Sequence, residues 1–216
     1  MERPVPSSSE AKCSDAPRKE MRRLKPAKVP HSPEVLVLVD VINPLHFPNA
    51  QALLPAALEA SHRIAKLKAR LAARGVAAIY ANDNYGTWHS EFSDVLASCR
   101  ALPGARGEIA RRLAPQPQDL VILKPQHSAF HSTPLEHLLR RMQAEKLIIV
   151  GFATDMCVML TATDARMSGY EVWIPQDCTA AESSRCKQDV LNQLKAAFKC
   201  STRAALPKSA RMEKLS

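Results

Sequence analysis

The chain has 216 residues, 46% of them apolar, which suits one domain with its own core and excludes a disordered or disulfide-stapled scaffold. Its net charge of +9 lies largely in the ends, with +4 in residues 1–33 and +2 in residues 207–216, so the remaining +3 is a poor footprint for a specific nucleic-acid partner. No apolar run approaches the ~20 residues that cross a bilayer, the N-terminal stretch lacks an apolar signal core, and its acidic residues argue against a transit peptide, so no membrane partner and a cytoplasmic location are expected.

Residues 1–33 are rich in proline, serine and scattered charge, and are expected to form a disordered basic extension. Val35 to Val39 reads as a buried strand ending at Asp40, a costly place for a carboxylate without partners. Residues 50–74 read as two helical pieces divided near Pro55, with Gly75 as the stop. A second strand, Val76 to Ala81, leads into the polar loop Asn82-Asp83-Asn84-Tyr85-Gly86-Thr87-Trp88. Helices around residues 90–99 and 106–113 precede a third strand, Leu120 to Leu123, which ends at Lys124. The loop 126–133 holds His127, Ser128, Phe130 and His131, and a helix over residues 134–145 follows.

The stretch around Leu147 to Val150 is a fourth strand, short and buried on both faces, which Gly151 ends. From Asp155 the period turns helical, with Thr154 or Asp155 as the cap, so Cys157 falls in the first turn of a helix just past a strand end. Unpaired amides and the helix dipole there favour a thiolate, which makes Cys157 a candidate nucleophile; the competing reading is a buried cysteine that packs as a small hydrophobe. A fifth strand at Glu171 to Ile174, a helix over residues 182–198 and a short edge strand within Thr202 to Leu206 complete the pattern before a basic tail at 207–216. Six cysteines show no C-x-x-C pair and no metal-finger spacing, and are read as reduced thiols.

Strand and helix alternate throughout, which implies an α/β fold: a three-layer α/β/α Rossmann-like architecture on a mostly parallel six-stranded sheet over residues 34–206. Ligands in such folds sit beyond the carboxyl ends of the strands, where Asp40, Lys124 and Cys157 all stand. A carboxylate near a thiol can take its proton, and an ammonium between them can steady the anions. The competing reading of the trio is a structural Asp-Lys pair beside an unrelated cysteine. No G-x-G-x-x-G follows any strand, which disfavours a dinucleotide site.

Three ordered segments carry a resemblance. Leu36-Val37-Leu38-Val39-Asp40-Val41-Ile42-Asn43, Lys124-Pro125 with Ser128-Ala129-Phe130 and Thr133, and Gly151-Phe152-Ala153-Thr154-Asp155 with Cys157-Val158, Thr161 and Asp164-Ala165 resemble the isochorismatase-like cysteine hydrolases. That superfamily includes nicotinamidases and N-carbamoylsarcosine amidase. The resemblance implies a triad of Asp40 as base, Lys124 as electrostatic partner and Cys157 as nucleophile. It also implies a cis peptide between Phe152 and Ala153, and an oxyanion hole formed by the backbone N–H groups of Ala153 and Cys157. The implied activity is cleavage of a C–N bond in a small amide or carbamoyl compound through a thioester, by a homodimer or homotetramer.

Nicotinamidases of the superfamily bind a metal through Asp-x-His after the second strand, and this chain reads Asp83-Asn84-Tyr85 there. No metal, no cofactor and no nicotinamidase activity are therefore expected. Asn84, Trp88, Ser128 and Phe130 are candidate substrate-pocket residues, against competing readings of loop structure for Asn84 and Trp88 and of core packing for Phe130. His127 and His131 read first as polar loop residues, with a contact to substrate as the second reading. Two other functions compete: a non-catalytic small-molecule binder or scaffold on the same fold, and a vinyl-ether hydrolase like isochorismatase itself, which would not need Cys157.

Overall fold

In a computed structural model, residues 28–86, 88 and 91–206 are described. The expected basic extension up to residue 27 and the tail from residue 207 lie outside the described residues. The strands are β1 (Glu34–Val39), β2 (Ala77–Asp83), β3 (Leu120–Lys124), β4 (Lys146–Phe152), β5 (Glu171–Trp173) and β6 (Thr179–Ala180). The helices are α1 (Ala50–Ala72), α2 (Phe92–Ala101), α3 (Gly104–Arg112), α4 (Leu135–Arg141), α5 (Met159–Met167) and α6 (Ser184–Phe198).

The sheet order is β3-β2-β1-β4-β5, with β6 also on β4, and every strand pairing is parallel. Alternation along β1 divides the core into two layers. Leu36 and Leu38 join a cluster with Leu53, Ile64, Leu67 and Leu71 of α1 and Ile109 of α3. Val35, Val37 and Val39 join another with Leu135 and Leu139 of α4, Ala162 of α5, and Leu191 and Leu194 of α6. Helices on both faces explain why β1 and β4 are apolar at nearly every position rather than at alternate ones. None of the described helices is long and apolar enough to cross a membrane.

Several elements depart from the sequence expectations. Residues 32 and 33 are not part of a loose extension. The Ser32 hydroxyl accepts the Ala77 N–H, and the Pro33 carbonyl accepts the N–H groups of Glu145 and Lys146, so both sit on the ends of neighbouring strands. Helix α1 is continuous through Pro55. Pro55 and Gln51, whose carbonyl loses its helical donor, both lie on the solvent side, where water can replace the missing bond. Strand β4 passes through Gly151 to Phe152 instead of stopping at the glycine.

The sixth strand is Thr179–Ala180, not a segment of residues 202–206. There Asp177 intervenes: its carboxylate accepts the N–H groups of Ala205 and Leu206, so those donors need no strand partner. Ser201 forms an isolated parallel bridge to Trp173. After β4, neither Thr154 nor Asp155 supplies a side-chain cap. The chain makes a π-helical turn over Thr154–Val158, in which the Ala153 carbonyl accepts the Val158 N–H at 3.1 Å, before α5 begins.

Candidate active site

Parallel pairing of β1 with both β2 and β4 places the ends of these strands side by side, and pairing of β2 with β3 brings in Lys124. Asp40 follows β1 with a positive φ of 51°, a conformation that aspartate tolerates better than most residues, and its N–H donates to the Ala81 carbonyl. One carboxylate oxygen accepts the Asp83 N–H at 2.7 Å, and the other lies 2.8 Å from the Lys124 ammonium. Lys124 Nζ also donates to the Gln126 carbonyl at 3.2 Å and lies 3.6 Å from Cys157 Sγ. The chain thus brings Asp40, Lys124 and Cys157 into one contiguous group, with the lysine side chain fully sealed from solvent.

The electrostatics follow from this enclosure. Burial pushes the Asp40 carboxyl above the ordinary aspartate range, against the pull of Lys124 and the hydrogen bond with Cys157. Burial also disfavours the Lys124 ammonium, but Asp40 and the neighbouring sulfur outweigh it and hold its pKa above the usual lysine value. The Cys157 thiol is pushed up to about 12, by burial first and by the Asp40 carboxylate second, with Lys124 pulling the other way. Burial and the Asp40 carboxylate thus act against the thiolate that the helix dipole favours.

The peptide between Phe152 and Ala153 is cis. Ala153 precedes the turn that carries Cys157, and its carbonyl points into that turn to accept from Met156 and Val158.

The loop after β3 is held from α5. The Ala129 N–H donates to the buried Thr161 hydroxyl at 3.0 Å, and the Ser128 hydroxyl donates to Asp164 while accepting the Phe130 N–H. Thr133 Oγ1 donates to the Ala129 carbonyl and accepts the Leu135 N–H, which ties the loop to α4. The conformation set by these bonds places His127 Nδ1 3.7 Å from Cys157 Sγ. From the sequence, His127 reads first as a polar loop residue and second as a substrate contact, and neither reading places it on the sulfur. Its distance of three from Lys124 was the available signal, but nothing in the sequence gave the ring's direction.

The remaining candidates are placed differently. Ser128 lines a cavity of about 250 Å³ together with Gln126, His127, His131, Leu160 and Asp164. Phe130 packs toward the core, its ring 6.1 Å from that of Tyr170. Asn84 is buried, its N–H on the Lys124 carbonyl and its side-chain oxygen on the Gly86 N–H, and Trp88 stands 78% exposed. Asn82, in contrast, binds both backbone groups of Ile42 and so fixes the segment after Asp40.

The site does not fit a transition metal of the Asp-x-His kind. Asp83 already accepts the Tyr85 N–H and lies 3.9 Å from Lys124 Nζ, and the Tyr85 hydroxyl, its pKa raised by burial and nearby carboxylates, donates to the Ile42 carbonyl. Among the described residues no three His, Cys, Asp or Glu side chains converge as a metal site.

A family model described as the isochorismatase domain matches residues 34–205. The uncharacterized isochorismatase family protein YaaI of Bacillus subtilis (strain 168) is 32% identical over 161 residues, covering 74% of this chain and 88% of that protein. Among solved structures, an isochorismatase family protein from Desulfovibrio vulgaris superposes with a TM-score of 0.65 at 23% identity, over 80% of this chain and 94% of that one. N-carbamoylsarcosine amidase from Thermoplasma acidophilum gives 0.62 at 20% identity, over 82% and 98%. The nicotinamidase SaPncA from Staphylococcus aureus gives 0.63 at 20%, over 81% and 99%. At these identities the structural likeness is one of fold.

Proposed function

The chain belongs to the isochorismatase family of hydrolases, and from that premise we propose that it is a metal-independent cysteine hydrolase cleaving a C–N bond of a small amide or carbamoyl compound. The observation that supports this reading best is the continuous group of Asp40, Lys124 and Cys157, with contacts of 2.8 Å and 3.6 Å at the lysine. A structural ion pair would not need a thiol against its ammonium.

The resting sulfur is a thiol that gives its proton to Asp40 as Sγ bonds to the substrate carbonyl carbon. Raised proton affinity suits Asp40 to this step, and Lys124 offsets the negative charge that remains between them. The backbone N–H groups of Ala153 and Cys157 serve as the oxyanion hole for the tetrahedral intermediate. Collapse breaks the C–N bond, the proton on Asp40 passes to the leaving nitrogen, and the acyl group stays on sulfur as a thioester. Water then hydrolyses the thioester, releasing the acid and restoring the thiol.

Intact-protein mass spectrometry after exposure to p-nitrophenyl acetate tests the reading. An adduct of one acetyl group on Cys157, lost in Asp40→Asn, is expected, together with turnover of members of a panel of small amides and carbamoyl compounds. Equal labelling of Cys157 in the wild type and Asp40→Asn, with no turnover of the panel, would leave only a binder or scaffold.

A further inference from the structure

Two groups able to exchange a proton with the Cys157 sulfur stand beside it, Asp40 and His127. Asp40 is sealed, with both carboxylate oxygens engaged by the Asp83 N–H and the Lys124 ammonium. His127 approaches from the opposite environment: its Nδ1 lies 3.7 Å from Sγ, and the residue is exposed and lines the cavity of about 250 Å³. That volume has room for several waters at about 30 Å³ each. Gln126, whose carbonyl accepts from Lys124 Nζ, and Ser128, anchored to Asp164, flank the imidazole and fix the backbone that carries it.

The two half-reactions make different demands on a base. Acylation needs an acceptor that keeps the thiol proton close to the leaving nitrogen, and a sealed carboxylate does this. Deacylation needs a base that meets water arriving from outside. We propose that His127 is a second catalytic base, which activates the hydrolytic water against the thioester while Asp40 serves acylation. This rests on the cysteine-hydrolase reading above.

The step balances within the groups present. Neutral His127, with its proton on Nε2, takes a proton from water at Nδ1 as the water oxygen bonds to the thioester carbonyl carbon. The tetrahedral intermediate collapses, the C–S bond breaks, and the departing sulfur recovers that proton from Nδ1 across the contact already present. The products are the free acid, the thiol and neutral imidazole, with no further reactant. Nδ1 serves both transfers because it is the nitrogen directed at Sγ.

The test uses the full chain and p-nitrophenyl acetate, following acetylation of Cys157 and its loss by intact-mass spectrometry. Removing the imidazole in His127→Ala is expected to leave acetylation within a few-fold of wild type while lengthening the acetyl-enzyme lifetime about 100-fold or more, the usual range for a lost general base. Added imidazole is expected to shorten that lifetime again, which no merely structural role would produce. A lifetime equal to wild type overturns the proposal, as does a lengthened one that imidazole leaves unchanged. Failure of wild-type Cys157 to acetylate at all is a separate result, because it removes the hydrolase reading and this inference with it.

Discussion

Gly151 in β4 lies against the Val39 carbonyl of β1 so closely that a Cβ at position 151 would stand 1.9 Å from that oxygen. The approach joins the strands that lead to Asp40 and to the Cys157 turn. With φ at 125°, the position also has a backbone conformation that L-residues with side chains rarely adopt.

Gly151→Ala is therefore expected to destabilise the chain by more than about 2 kcal/mol, since the clash is with backbone and no side chain can swing aside. Urea denaturation measures the loss. Acetylation of Cys157 should fall with it, because β4 can take the methyl only by moving away from β1.

Lys124→Met is expected to cost about 3–5 kcal/mol, as it strands a buried carboxylate. Combined with Asp40→Asn the cost should shrink, while activity stays abolished in the double variant as in both singles. Denaturation midpoints for the four chains form the cycle. A double variant as unstable as the sum of the two singles would show that the pair is not coupled.

The Cys157 thiol, pushed up to about 12 from an ordinary 9, makes two statements about pH. Resting Cys157 should react with iodoacetamide more slowly than an unfolded-chain thiol at pH 8, as read by site-resolved mass spectrometry. Because the folded value lies above the unfolded one, the folded state holds a proton that the unfolded state loses between pH 9 and about 12. The stability contributed by the thiol is complete below pH 9 and lost across that window. Cys157→Ser should accordingly show a shallower alkaline decline than wild type.

Asn82→Ala is expected to cost about 2 kcal/mol, since it leaves the buried Ile42 N–H without its acceptor and the Ile42 carbonyl with the Tyr85 hydroxyl alone. The segment after Asp40 loses its anchor, so Cys157 acetylation should slow as well. Thermal denaturation and acetylation rates on the same sample check both effects.

The elements that were legible in the sequence are those with a strong local period. β1 and β4 announce themselves by unbroken apolar runs rich in β-branched residues, and α1 by Ile64, Leu67 and Leu71 on one face. Pro55 and Gly151 were misread because each is a breaker on average, and what decided both was surroundings: solvent beside one and the Val39 carbonyl beside the other. The sixth strand was misplaced because Asp177, more than twenty residues away in sequence, supplies the acceptor for Ala205 and Leu206.

By itself the sequence determined that apolar strands alternate with amphipathic helices and that Asp40, Lys124 and Cys157 each fall at or just past a strand's carboxyl end, since these follow from residue order and periodicity. Only the tertiary structure decided that burial and the Asp40 carboxylate push the Cys157 thiol's pKa up and that His127 reaches the sulfur. Both depend on how completely other segments exclude water from Cys157 and on the direction that Thr161 and Asp164 give to a loop some thirty residues earlier. Burial and orientation are properties of the packed chain, and no local pattern encodes them.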